Sequence, residues 1–219
     1  CAAHDPASIA IASDIETPDK AGGKPENELT PDDTSYQILR VNFAINGEQG
    51  VTIPYTPAYI PLIDRMLKIP CAHYWWNGYG YDWARIMAAG HQVPAEHQID
   101  LMLAAHILQS DVPLGLGFWA PFYSNYGAWK HLSGVDPEKY ACIDGPQTYR
   151  CGVGIINDLI QAGQWRAFKE DCHDLYHTAL KPAQDVGVLI DRPALGEFHT
   201  NLAVKQLERL HKGGALSAE

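Results

Sequence analysis

The spacing of apolar positions changes several times along the chain, and each change marks a predicted element. Ser8–Ser13 (SIAIAS) is a short apolar run that suits a buried strand, and it ends at Asp14. From Thr17 to Ser35 the text turns polar and rich in Pro, Gly and acids, as a long surface loop does. Ile38–Ile45 and Val51–Tyr55 flank Asn46-Gly47, the turn signal of a hairpin. Pro54, lacking an amide hydrogen, moves the second of these strands toward a sheet edge.

Helical spacing follows over Pro57–Lys68 (Tyr59, Ile60, Ile63, Met66, Leu67). His73–Trp76 is a further short strand that stops at Asn77. A helix over about 81–89, a brief strand at Gln98–Asp100 and the apolar helix Leu101–Leu108 come next. Helical patterns then recur at about 116–125, 138–161, 165–179 and 193–211. This order predicts an α/β domain with a mixed sheet, the hairpin antiparallel and the later crossovers parallel. The all-helical tail suggests a division into residues 1–162 and 163–219.

Composition narrows the classes. At 219 residues and 46% hydrophobic, the chain buries a full core. No apolar run reaches the roughly 18–20 residues of a membrane span, and the first residues lack a signal peptide's basic start and apolar stretch. The chain opens on Cys1 instead of Met, as a piece of a longer chain would. Its five cysteines are scattered and form no C-x-x-C pair, which points to reduced thiols in a cytoplasm. A net charge of −10 argues against a tight autonomous nucleic-acid binder. It does not argue against a nuclease, because metal-holding carboxylates are themselves acidic. Residues 1–40 hold eight acids against three bases, half of the net charge.

Three short stretches carry candidate chemistry. Asp14-Ile15-Glu16 sets two carboxylates at i and i+2, on one face of an extended strand. Such hard oxygen ligands suit Mg²⁺ or Mn²⁺ more than zinc. Asn77–Asp82 (NGYGYD) lies where a strand stops and a helix starts, where sites gather on open sheets. Tyr140 and Asp144 stand at i and i+4, on one helix face. Taken singly, each also fits a solvated acid, a helix cap or a half-buried tyrosine.

In chain order the three resemble the motifs of the DEDD 3′→5′ exonuclease superfamily, in its tyrosine-bearing branch. Asp14 and Glu16 resemble the first motif, Asn77, Tyr81 and Asp82 the second, and Tyr140 and Asp144 the third. Ile99–Met102 resembles the family's Asp-initiated helix, and Trp129-Lys130 falls in the expected stretch before the third motif. The resemblance covers about residues 8–162. Leu180–Pro182 and Gly187–Asp191 further resemble the junction at which the proofreading domain of a family A DNA polymerase, such as a phage enzyme, passes into the polymerase domain.

The resemblance implies a ribonuclease H-like mixed sheet flanked by helices, with a C-terminal helical extension. It implies a 3′→5′ exonuclease acting on the 3′ end of single-stranded DNA with two Mg²⁺ or Mn²⁺ ions. It also implies a polymerase domain in the same full-length chain, within a bacterial or phage-infected cell. Asp14 would bridge the ions, Glu16 and Asp144 would complete the tighter site, and Asp82 would hold the looser one. Tyr140 would orient the attacking water, while Thr17, Asn77 and Tyr81 would contact the terminal nucleotide. The rivals are an exoribonuclease of the RNase D type, which shares the motifs, and a catalytically silent scaffold or single-strand-binding domain.

Other patterns carry less. His173 and His177, at i and i+4, are expected on a helix surface, since the zinc helix's Glu is replaced by Asp174 and no third ligand is evident. Gly115-Leu116-Gly117 lacks the third glycine of a dinucleotide loop. The aromatics Tyr74, Trp75, Trp76, Tyr79, Tyr81 and Trp83 are read mainly as packing around the second motif.

Overall fold

The computed structural model describes residues 9–18, 37–187, 189 and 191–216. Ser8, most of the predicted acidic loop, and Val188 and Ile190 of the junction lie outside the described residues. A five-stranded sheet runs in the order β3-β2-β1-β4-β5. It comprises β1 (Ala10–Glu16), β2 (Arg40–Ala44), β3 (Gly50–Pro54), β4 (Ala72–Trp75) and β5 (Gln98–Asp100). The hairpin pairs antiparallel with β1, whereas β4 and β5 add in parallel on its other side. Pro54 lies on the edge strand β3, where its missing donor costs no ladder bond.

Alternation along β1 divides the core between two faces. Ala10 and Ala12 face α3 (Leu101–Leu108), α4 (Leu116–Tyr123) and α5 (Pro137–Gln161). Ile11 and Ile15 face α1 (Ile60–Leu67) and α2 (Asp82–Ala88). The same alternation puts Asp14 and Glu16 on the α5 face. The predicted helix over 57–68 is shorter as found, because Pro61 occupies its first turn and the chain before Ile60 is taken up in turns at Thr56 and Tyr59.

Helix α5 comes unusually close to the sheet. Asp136 caps it, accepting from the Lys139 amide, and Pro137 follows at a position that needs no donor. Pro146 has no N–H for the carbonyl four residues back. A Cβ on Gly50 would stand 2.5 Å from that Cys142 oxygen, so only glycine lets β3 lie against it. A Cβ on Gly152 would meet the Tyr74 ring at 2.4 Å. These two close approaches bring the third motif down onto the first.

The segment predicted as a helix over 165–179 is helical, but much of it is π-wound: Phe168–Asp174 and Tyr176–Leu180 follow the short α6 (Trp165–Ala167). By its contacts the chain divides into residues 1–177 and 178–219. The second unit is helical, with α7 (Lys181–Val186) and α8 (Arg192–Leu216). Cys71, Cys142, Cys151 and Cys172 are free thiols. Among the described residues no helix is long and apolar enough to cross a membrane.

Candidate active site

Asp14 and Glu16 close the C-terminal end of β1, opposite Asn42 and Arg40 on β2. Asn42 is buried, and its amide donates to Asp14 Oδ2 (2.8 Å) and Glu16 Oε1 (3.4 Å). Asn42 was not among the residues singled out from the sequence. Its role follows from the hairpin register, which sets it directly across from Asp14.

The second motif turns sharply after β4. Asn77 takes a positive φ of 64°, a conformation that Asn tolerates better than most residues. The turn delivers Asp82 to the start of α2, where it is 2% exposed and accepts from the Ile15 amide at 3.0 Å. Asp82 is thereby tied to the strand that carries Asp14 and Glu16. Asp100, 1% exposed, secures the same turn from the side. Its Oδ2 accepts from the Tyr79 amide (2.9 Å), while its Oδ1 caps α3 through Met102 and Leu103.

The third motif projects from α5. Asp144, 6% exposed, accepts from the Trp129 indole and from Lys130 Nζ on both oxygens (2.9 and 2.8 Å). Lys130 Nζ also donates to the Tyr140 hydroxyl at 2.9 Å. The sequence placed Trp129-Lys130 before this motif but did not assign either residue a partner.

Electrostatics shows that these groups share one locus. Loss of hydration raises Asp14 well above the usual carboxylate range, and the charges of Asp82, Asp144 and Glu16 add to that rise. Glu16 is pushed up to about 7 by burial and by the charge of Asp144. Burial lifts Asp82 to about 8, against the opposing hydrogen bond from Ile15. Burial also raises the Tyr140 phenol, helped by Asp144, Asp14 and Glu16. The structure therefore brings together Asp14, Glu16, Asp82, Tyr140 and Asp144 from three elements distant in sequence.

Beside them opens a cavity of about 640 Å³. Asp14, Asp82 and Lys130 line its polar side, and Trp76, Met102 and Phe118 its apolar side. The Trp76 indole donates to the Leu114 carbonyl at 2.9 Å, which holds the wall in place. Asn77 and Tyr81 also line the cavity. Thr17 reaches it indirectly, since its hydroxyl shares a 2.6 Å hydrogen bond with that of Tyr81.

The donor set fits divalent metal ions in kind: four hard carboxylate side chains, of which Asp14, Glu16 and Asp82 are raised by burial and by neighbouring acids. As they stand, no three His, Cys, Asp or Glu side chains among the described residues converge to ligate one ion. Asn42, the Ile15 amide and Lys130 each hold some of the carboxylate oxygens instead.

The two histidines set aside from the sequence do not lie free on a helix surface. His173 is 4% exposed, and His177 Nε2 lies 3.0 Å from the Tyr79 hydroxyl. The reason is tertiary: the π-wound segment packs on the second-motif turn, stacking Tyr176 on Tyr79 (centroids 4.1 Å apart, 9° between planes). Of the six aromatics around the second motif, Tyr74, Trp75, Tyr79 and Trp83 are buried in the two cores, while Trp76 and Tyr81 face the cavity.

No protein-family profile and no curated protein matches the sequence. Solved structures do match. Escherichia coli RNase D, described as an exoribonuclease involved in structured RNA processing, aligns over 76% of this chain with a TM-score of 0.57 and 18% identity. This chain spans only 44% of RNase D. A structure described as the apo form of a nuclease aligns over 84% of this chain and 90% of its own, with a TM-score of 0.59 and 16% identity. The fold is a ribonuclease H-like one, shared with these two structures. The expected architecture, a mixed sheet flanked by helices with a helical C-terminal part, is the one found.

Proposed function

We propose that the chain is a metal-dependent 3′→5′ exonuclease that trims single-stranded nucleic acid from its 3′ end. One observation carries this reading: β1, the turn before α2, and α5 deliver Asp14, Glu16, Asp82, Asp144 and Tyr140 to one place beside a cavity. The fold shared with two nucleases supports it.

In this reading the four carboxylates hold two divalent ions, Mg²⁺ or Mn²⁺. When bound, the ions supply the Lewis acidity that makes water a nucleophile near neutral pH and offset charge on the departing 3′ oxygen. The chain's own groups do the rest. The Tyr140 phenol, raised above its usual value, keeps its proton, so it orients water as a donor and does not act as the base. Trp76, Met102 and Phe118 offer an apolar and aromatic surface on which a terminal base stacks. Asn77 and Tyr81 supply polar contacts at the same rim, and Thr17 fixes the Tyr81 hydroxyl.

DNA is the substrate we favour, as the proofreading part of a family A polymerase whose polymerase domain lies elsewhere in the full-length protein. The motif order and the text at Leu180–Pro182 and Gly187–Asp191 support that reading. The likeness to RNase D favours a second reading, an exoribonuclease.

Matched 5′-labelled DNA and RNA strands incubated with Mn²⁺ separate the two. Stepwise shortening from the 3′ end is expected, faster on DNA, and a preference for RNA selects the second reading. The Asp14→Ala, Glu16→Ala double variant is expected to lose at least about 10³-fold in rate while keeping its fold. Full activity in that variant overturns the assignment.

A further inference from the structure

The cation on Asp144 is a feature that the reaction above leaves unused. An ammonium has three hydrogens. Those of Lys130 are all engaged, at 2.9 Å from Asp144 Oδ1, 2.8 Å from Oδ2 and 2.9 Å from the Tyr140 hydroxyl. Oδ1 also accepts from the Trp129 indole. A carboxylate offers about four lone-pair positions, so the chain's own donors already fill most of those on Asp144.

The pair is asymmetric. The Asp144 side chain is 8% exposed and that of Lys130 42%, so the acid is fixed and the ammonium has a way out. Lys130 arrives on a long stem that passes Gly117, where an added Cβ would stand 3.3 Å from its Cγ. It also lines the cavity that Asp14 and Asp82 line. The rings of Tyr140 and Trp129, with centroids 4.9 and 5.4 Å from Nζ, add attraction for a cation there.

A divalent ion seeking the same oxygens meets a positive charge already seated on them, and like charges at such range repel. We infer that Lys130 is the resident counter-cation of the carboxylate cluster, and that a divalent ion binds only by displacing it from Asp144. The inference rests on the two-ion reading and deepens it. Metal loading becomes an exchange of a tethered cation for a dissolved one, and the buried acids keep a positive partner when no ion is bound.

The test is Mn²⁺ binding measured by calorimetry on the full 219-residue chain, with thermal melts in chelator as a second readout. Lys130→Met is expected to bind Mn²⁺ about tenfold more tightly than the parent. It is also expected to melt at a lower temperature without metal. Lys130→Arg, which keeps the charge, is expected to bind Mn²⁺ no more tightly than the parent. Should Lys130→Met not fold, Lys130→Gln carries the same comparison. Unchanged or weaker Mn²⁺ binding in the uncharged variant overturns the exchange. If cleavage still depends on metal and on Asp14 and Glu16, that result overturns the exchange alone. Absence of Mn²⁺ binding in parent and variants overturns the exchange and the two-ion reading together.

Discussion

Tyr79 and Asp82 stand three residues apart on one turn, yet their surroundings treat polar groups in opposite ways. Everything polar on Tyr79 is partnered. Its amide donates to Asp100, its hydroxyl donates to the Gln98 carbonyl at 2.9 Å, and its carbonyl accepts from the Tyr176 hydroxyl at 3.1 Å. Its ring is packed by Tyr176, Trp83 and His177. Asp82 is also buried; its Oδ1 accepts from the Ile15 amide, but burial and the charge of Asp100 outweigh that bond and the opposing charge of Arg85. One side of the turn is an anchor with its hydrogen bonds made. The other gathers buried acids whose proton affinity is raised by burial and by one another. Stability and chemistry are thus divided between the two sides of a six-residue turn.

The largest expected effect tests the anchor. Tyr176→Ala removes a ring stacked on Tyr79 and a hydroxyl bonded to its carbonyl, and is expected to cost about 3–5 kcal/mol in chemical denaturation. If unfolding is unchanged, the π-wound segment is not what holds the turn. A middle-sized effect tests the charged side: Tyr140→Phe is expected to slow cleavage by about 10- to 100-fold, with stability moved by less than about 1 kcal/mol. A large loss of stability with normal turnover would move Tyr140 from the chemistry to the anchor.

The smallest effect is a dependence on pH whose two arms come from the two sides. Glu16 and Asp82, at about 7 and 8 in the fold, hold protons that the unfolded chain has already lost at such pH. Their contribution is full below the ordinary carboxylate range and is lost as pH rises through about 7 to 8. His177 behaves in the reverse sense. Burial, with the charges of His173 and Lys169, lowers it to about 4, so its contribution is lost as pH falls below about 6.5. Melting temperatures in chelator are therefore expected to fall as pH rises from about 4 to 8, with His177 offsetting part of the fall below about 6.5, and Asp82→Asn is expected to flatten the alkaline part. A parent melting curve with no alkaline arm contradicts the charged side of the comparison.

Much of this layout was legible before any coordinates. The hairpin could be read from two apolar runs around Asn46-Gly47, and the edge position of β3 from Pro54, because both are local consequences of backbone chemistry. Asp14, Glu16, Asp82, Tyr140 and Asp144 could be singled out because their order along the chain matches a known set of motifs. Asn42 could not, because nothing in RVNFA marks an asparagine as a shared donor until β2 is laid antiparallel against β1. Lys130 was seen in place but not in contact. His173 and His177 were read as exposed because helical spacing does not reveal which neighbouring turn will cover a face.

The sequence by itself determined the order of the elements and the period of most of them, since these depend on neighbours a few residues apart; it singled out the carboxylates only through a resemblance in motif order. Tertiary structure alone decided which groups satisfy one another. The close seating of α5 at Gly50 and Gly152 brings Asp144 to Asp14, and the turn at Asn77 brings Asp82 to Ile15. Hydrogen bonds and charge coupling fall off within a few ångströms, while the residues involved lie 67 positions apart in the one case and farther in the other. No local pattern can report on such pairs; only the packed chain does.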